Sequence, residues 1–578
     1  MNRRILALLL AVCMMLALLA GCGSKEEAPA EEPEAVVEDA PVEEPAPADD
    51  AVVEAPSAEL EDVVADEAVV DTRTPIELPL TEEEVHFSFF LSGPGGAASN
   101  YVSSYSEYKH WNKSFELTNV YLDFDEADFM TASEKFNLMI ASGDYTDFIA
   151  GTGNFSNGAD YAVEEEIVID LTDLIAEYAP NYNYYRTQTP FLTAATKTVG
   201  GHIVSFYELF SDFLGPFFGA FIRQDWLDEL GLEKPETYDE YHDVLMAFKT
   251  EMGATKPIMF DSNLVGNDNF FVGGFGITST FGSANAKESY WYVNDGEVKC
   301  GLVADEYYDY LCMLRDWVAE GLISKDFPSE AGAMASAGMA EICNDKVGVF
   351  FNGAPMMSMY SRNAVDPDFR ITAGYDPVHE KGEKVHVDTT EYDFGGERVA
   401  ITTACENPEL AVKYWDFWFT EEGIILANYG VVGETCEIGE DGKPYYTEMV
   451  TNNPDIAAGD AISIYTGRNS TPTWASNSKL LVSFNEDEAA AFEIWASCRD
   501  NRDAFPVVAM LTAEEIEIYA SNSSEYETYC DETRSLFVTG EKELNEQTWQ
   551  EYLDIMYQMG MQENIDLKQA AYDRYMAK

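Results

Sequence analysis

Between His86 and Gly151 two hydrophobic rhythms take turns, and this alternation restricts the fold more than any other feature of the 578-residue chain. HFSFFLSG (His86–Gly93) reads as a strand that runs into the turn Gly93-Pro94-Gly95-Gly96. VYLDF (Val120–Phe124) is strand-like, EKFNLMIASGD (Glu134–Asp144) carries Phe136, Met139 and Ile140 at helical spacing, and DFIAG (Asp147–Gly151) is a short strand. Strands separated by single helices favour a parallel sheet, so the chain is expected to be α/β, with ligands at the strand C-termini. Farther on, caps mark the helices. Thr237 and Glu240 form a capping box ahead of Tyr241, Val244, Leu245 and Phe248. Asn407-Pro408-Glu409 opens a helix through Ala411, Val412, Trp415 and Trp418.

The alternation begins only after about 80 residues of different text. Residues 1–21 begin with Arg3 and Arg4, continue through an apolar run from Ile5 to Leu19 and end in small residues, the layout of a secretory signal. A run of about 15 apolar residues falls short of the roughly 20 that span a bilayer. The last four residues, Leu19-Ala20-Gly21-Cys22, resemble the lipobox of bacterial lipoproteins, which implies that Cys22 is acylated and becomes the new N-terminus. At about 0.8 kcal/mol per buried methylene, one acyl chain holds a protein marginally and two or three hold it stably. Residues 22–80 are expected to form a lipid-anchored acidic linker. Residues 26–71 contain 18 acids, no base and no aromatic residue, and cannot bury enough apolar surface to offset ordering. Proline and self-repulsion make such a segment an extended spacer, with an acidic interaction tail as the alternative. The folded part is therefore expected at the outer face of the cell membrane.

The formal charge is −71, and the chain beyond the linker remains acidic, which repels phosphate backbones and argues against nucleic acid as a partner. A hydrophobic content of 46% over this length allows a large core and more than one domain. Beyond Cys13 and Cys22, the seven cysteines Cys300, Cys312, Cys343, Cys405, Cys436, Cys498 and Cys530 show no metal spacing. They read as small buried hydrophobes, with one or two disulfides left open by export. G-x-S-x-G, H-E-x-x-H, G-x-x-x-x-G-K-[ST] and G-x-G-x-x-G are all absent. Asp123, Asp125 and Asp128 faintly suggest calcium ligands but lack the glycine and terminal glutamate of an EF-hand loop, so they read as a solvated turn. No cofactor or metal is expected. In so acidic a chain, carboxylate pairs carry no information about glycosidase chemistry.

Aromatic residues do accumulate among polar, glycine-rich stretches: NFFVGGFG (Asn269–Gly276), SYWYVNDG (Ser289–Gly296), FFNGAP (Phe350–Pro355) and STPTWASNS (Ser470–Ser478). A ring can pack on the C–H face of a sugar while Asn, Asp and Arg bind its hydroxyls; the alternative is ordinary core. Trp291 and Trp474 lie outside any helical or strand periodicity, which makes them the stronger candidates.

A series of longer motifs then occurs in a fixed order. EKFNLMIASGDYTDFI (Glu134–Ile149), VIDLTDLIAEYAPNY (Val168–Tyr182), GHIVSFYE (Gly201–Glu208) and FIRQDWLDELGLEKPETYDEYHDVLMAFK (Phe221–Lys249) come first. EGLISKDF (Glu320–Phe327), KVGVFF (Lys346–Phe351), the block Glu406–Glu434 and the closing stretch Phe537–Lys578 follow. Together they resemble the long extracellular solute-binding proteins of ABC importers, family 1, which are mostly carbohydrate-directed. The resemblance implies a periplasmic-binding-protein-like (type II) α/β fold of two lobes with a hinge and an interlobe ligand cleft. It places lobe 1 at 82–205 and 398–468, and lobe 2 at 206–397 and 469–578. It further implies a non-enzymatic receptor that passes an oligosaccharide to a membrane permease. Two departures stand out: Thr146 replaces the family's usual proline, and Asn352-Gly353-Ala354-Pro355-Met356 lacks the tryptophan of N-G-x-W, removing one stacking platform. Ligand contacts are expected from Asp144 at a helix end facing the cleft, Arg223, Trp226, Trp291, Asn352 and Trp474. For Trp226 the alternative is helix packing beside Leu227 and Leu230. The rival functions are a surface glycan-acting enzyme and a binder of peptides or another small solute.

Overall fold

The computed structural model describes residues 71 and 73–577, apart from 129–130, 153–154, 156–157, 213–214, 261–268, 281–289, 331, 334–335, 389–393, 468–469, 501–502 and 507–508. The signal segment, Cys22 and the linker up to residue 70 lie outside the described residues. No helix among those described is long and apolar enough to cross a membrane.

The predicted alternation builds a six-stranded sheet, ordered Trp474–Ala475, Ser205–Phe210, Phe394–Ile401, Phe148–Ile149, Val85–Ser92 and Val120–Ala127. Val85–Ser92 runs parallel to both Val120–Ala127 and Phe148–Ile149, while Phe394–Ile401 is antiparallel to its two neighbours. Both faces are buried, as such sheets require. Phe87, Phe89 and Leu91 point into a core with Trp111, Trp415 and Trp418, while Phe90 joins Phe136 and Ile149 on the other face. The helix read at Glu134–Asp144 occupies Ala132–Ser142 and stops at Gly143, whose φ of 72° a β-carbon would strain.

A second sheet is ordered Ile371–Ala373, Phe218–Arg223, Val347–Gly353 and Lys256–Ile258. Ile222, Val349 and Phe351 face the helix Tyr238–Thr250 through Tyr241, Leu245 and Phe248. On the opposite face, Phe221 and Phe350 pack with Tyr360 and Trp495. The Thr237 capping box is formed, with Glu240 N donating to Thr237 Oγ1 at 3.2 Å, and Leu410 N donates to Asn407 Oδ1 at 3.3 Å. Cys300, Cys343, Cys405, Cys436 and Cys530 are buried, as small hydrophobes would be.

The chain passes between the two bodies three times. Ser205–Phe210 lies in the first sheet and Phe218–Arg223 in the second; Ile371–Ala373 lies in the second and Phe394–Ile401 in the first. Trp474–Ala475 is again in the first sheet, and the helix Glu486–Cys498 then packs on the second through Phe492 and Trp495. Sheet membership thus gives residues 206–210, 394–397 and 474–475 to the first body, where the sequence-derived division has them in the second. A two-residue edge strand carries no periodicity from which a boundary could be read. The first and third passages are tied together. Asp212 accepts hydrogen bonds from Asn477 N at 2.7 Å, Ser478 N at 2.8 Å and Ser476 Oγ at 3.2 Å. Burial opposes ionisation of this carboxyl, yet the hydrogen bonds from Ser478, Asn477 and Ser211 hold its pKa below the ordinary value.

Candidate ligand cleft

The passages fix which strand ends face the space between the bodies. In the first sheet these are the carboxyl ends of Val85–Ser92, Val120–Ala127, Phe148–Ile149 and Ser205–Phe210, and the start of the antiparallel Phe394–Ile401. In the second they are the start of Phe218–Arg223 and the ends of Val347–Gly353 and Ile371–Ala373.

On the first edge the polar groups are densely connected. Glu126 accepts from Tyr105 N at 2.6 Å and Ser104 Oγ at 3.1 Å. Glu397 accepts from Thr152 through both its backbone N–H and its hydroxyl, the latter at 2.7 Å, and from the Tyr207 hydroxyl at 3.1 Å. Burial, followed by the Glu397 charge, drives the Tyr207 phenol well above its ordinary pKa, so it stays a donor. Burial and then Glu126 raise Tyr105 likewise, while Arg398 opposes them. Arg398 Nη2 donates to Glu208 Oε2 at 2.6 Å. Gly151 and Gly395 permit this packing: a β-carbon at the first would lie 3.0 Å from Glu397 Cβ, and at the second 2.9 Å from Glu208 Cβ. On the second edge, the half-buried Phe217 meets Phe484 with ring centroids 6.4 Å apart, and the buried Arg499 is held by Asp376. The edge thus combines hydroxyl and carboxylate groups with half-buried rings, the chemistry that binds polyhydroxylated solutes.

Three comparisons bear on what this architecture is. No family model matches the chain. A search of curated proteins finds the fructooligosaccharide ABC transporter substrate-binding protein FusA of Streptococcus pneumoniae, 28% identical over 334 residues, covering 55% of this chain and 58% of that one. Lipoprotein LipO of Bacillus subtilis is 26% identical over 341 residues, 56% and 62% of the two chains. The chain is related to the substrate-binding proteins of ABC transporters. Matched regions span about three-fifths of each of these relatives. Among solved structures, the HMO-binding ABC-transporter-associated solute-binding protein of Bifidobacterium longum infantis superposes with a TM-score of 0.69 at 19% identity, covering 85% of this chain and 99% of that one. The solute-binding-protein fold, two lobes around a cleft, is therefore the fold of this chain.

Within that fold most of the expected contact residues fall elsewhere. Asp144 is exposed beyond the helix Ala132–Ser142, at the amino end of Phe148–Ile149, because a crossover helix returns the chain to the edge away from the cleft. Arg223 ends its strand at that far edge of the second sheet. It is fully buried, donates to Asp225 at 2.9 Å and Asp345 at 2.6 Å, and lies 4.2 Å from the Trp226 ring. Trp226 packs edge-on against Phe248, so helix packing is its role. Trp291 is 2% exposed, donates to the Tyr519 hydroxyl at 2.9 Å and is covered by the Lys568 ammonium at 5.8 Å, which leaves no face for a sugar. Asn352 does lie at the cleft edge, but its side chain is buried, donating to the Tyr360 hydroxyl at 2.7 Å and accepting from Gly353 N at 2.8 Å. Trp474 stacks on Tyr185 at 4.9 Å and lines a groove of about 1090 Å³ on the first body, with Arg73, Phe419 and Tyr429.

Asp123 and Asp125 do not converge with other ligands either. Asp123 Oδ1 lies 3.1 Å from His86 Nδ1 and Asp125 lies 3.9 Å from Lys135 Nζ; among the described residues no group of three or more acids, cysteines or histidines could hold a metal ion.

The residues that reasoning from sequence missed are Tyr105, Glu126, Tyr207, Glu208, Glu397 and Arg398. One signal was available: Glu208 in SFYELF and Glu397-Arg398 in FGGERVAI place charge inside otherwise apolar strands, where only a paired or functional group is tolerated.

Proposed function

We propose that this chain is the capture subunit of an ABC importer, closing its two bodies on an oligosaccharide and presenting it to a membrane permease. The observation that carries this is the triple passage between two α/β bodies, which joins their ligand-facing edges while leaving each body its own core. Such a connection allows hinge closure, and ligand that binds the closed form better shifts the population to a state a permease can read. Two of the similar proteins support a carbohydrate ligand, the fructooligosaccharide protein of S. pneumoniae and the HMO-binding protein of B. longum infantis. The lobes are taken as 82–205 with 398–468 and 206–397 with 469–578, the first enlarged by its edge strands. The reading is that of a binder, without turnover.

A thermal-shift screen of oligosaccharides, peptides and amino acids tests it. A ligand at 100 times its dissociation constant adds about 2.7 kcal/mol of stability, several degrees in melting temperature. Sugars are expected to shift the melt; a shift from peptides alone would remove the carbohydrate assignment, and release of shorter sugars during the incubation would make the chain an enzyme.

The tether belongs to the same proposal. Acylation of Cys22 would keep the receptor beside its permease, in line with the lipoprotein name of LipO. Cys22→Ser is expected to move the protein into the soluble fraction with ligand binding intact. A variant that stays in the membrane fraction would mean that another element anchors it.

A further inference from the structure

The arginines at the two cleft edges are each neutralised from behind by a buried acid. Arg398 Nη2 and Nε both donate to Glu208 Oε2, at 2.6 and 3.2 Å, and the Glu208 side chain is only 2% exposed. Across the cleft, Arg499 donates through Nε and Nη2 to Asp376, the latter bond at 2.9 Å, and through Nη1 to the carbonyl of Phe218 at 2.7 Å; the Asp376 side chain is 1% exposed.

A sugar carboxylate entering a closed cleft needs a guanidinium fork or a lysine to replace its water, and the forks of Arg398 and Arg499 are already bonded to acids that cannot leave. The acceptors Glu126 and Glu397, backed by the acidic chain as a whole, would repel it further. Hydroxyl groups face the opposite balance. A carboxylate offers about four lone-pair sites, so Glu126 and Glu397 keep acceptor capacity beyond their protein partners, and the half-buried Tyr105 ring lies beside them.

We propose that the cleft selects neutral oligosaccharides and rejects uronate-containing ones, with Glu208 and Asp376 setting this preference by cancelling Arg398 and Arg499. The proposal rests on the carbohydrate-binding reading above and narrows it to one chemical class.

The test is calorimetric titration of the full chain with neutral oligosaccharides (fructo-, gluco-, galacto- and manno-) and with oligogalacturonates of matched length, at low and at high salt. High salt screens the field of the whole chain and leaves the local pairing in place. At least one neutral series is expected to bind, with oligogalacturonates at least tenfold weaker in both buffers. Glu208→Gln should release the charge of Arg398 and raise oligogalacturonate affinity at least tenfold, and Asp376→Asn should do so independently from the other body. Oligogalacturonates that bind the unaltered chain as well as neutral sugars would overturn the selectivity while leaving the carbohydrate reading in place. Failure of both sugar classes, with a peptide or amino acid binding instead, would overturn that reading and the proposal with it. If both variants fold, as judged by their melting curves, and neither gains affinity for oligogalacturonate, the assignment of Glu208 and Asp376 is wrong.

Discussion

Arg223→Ala is expected to lower the unfolding free energy by about 3–5 kcal/mol, the usual cost of removing one partner of a buried ion pair. The guanidinium has no exposed surface and joins Asp225 and Asp345 while its two faces meet the rings of Trp226 and Phe369, at 4.2 and 4.3 Å. Alanine would leave the Asp225 carboxylate, itself only 12% exposed, without its main countercharge, and would open a cavity between two aromatic rings. Arg223→Lys should recover only part of the loss, because a single ammonium cannot span both carboxylates with a fixed fork. Chemical denaturation measures the stability, and ligand titration of the folded fraction separates the two roles that can be assigned to this residue. A structural Arg223 predicts a large stability loss at unchanged affinity. Lost affinity at unchanged stability would return it to the binding site.

That reassignment shows which parts of the molecule the sequence exposes. The β/α alternation, the capping box at Thr237, the N-cap at Asn407 and the glycine stop at Gly143 depend on neighbours a few residues apart, so spacing alone reveals them. The cleft depends on edges brought together by three passages, and its residues come from five separated stretches near Tyr105, Glu126, Tyr207, Glu397 and Arg499. Aromatic content in polar loops was a misleading guide: Trp291 supplies core, and its indole N–H is satisfied by Tyr519 in a loop-bounded hairpin that looks like a binding loop in one dimension. Asp144 fails for a topological reason that was open to derivation, since a parallel crossover places the end of its helix at the edge opposite the ligand. Charges interrupting an apolar strand, as at Glu208 and Glu397, were the better signal, because burying an ion without a partner is costly enough that its presence demands an explanation.

The same argument applied to Asp416 predicts a pH dependence of stability. Its carboxyl is buried in the first body, accepting from Tyr182 N and Asn181 Nδ2, both at 2.7 Å. Asn181 in turn accepts from Thr74 N at 3.1 Å and donates to Thr74 O at 3.0 Å, so the carboxyl anchors the segment around Thr74. Glu77, Tyr178 and Lys413 line the small cavity beside it, with the Lys413 ammonium over the Tyr178 ring at 4.7 Å. Burial outweighs the two hydrogen bonds and pushes its pKa up to about 7 from 3.8. The fold therefore favours the protonated form: the stabilisation is complete below pH 3.8 and is lost as the pH rises through about 7. At 1.36 kcal/mol per pKa unit the whole effect is about 4 kcal/mol. Asp416→Asn cannot titrate, so the difference in unfolding free energy between the unaltered chain and the variant should rise by about that amount between pH 8 and pH 4. Groups held below their ordinary pKa, such as Asp212 and Glu515, lose stability as the pH falls, but they do so equally in both proteins and drop out of the difference. A difference that stays flat across this range would mean that Asp416 is ionised in the folded chain, with water or a neighbouring cation supplying what burial removes.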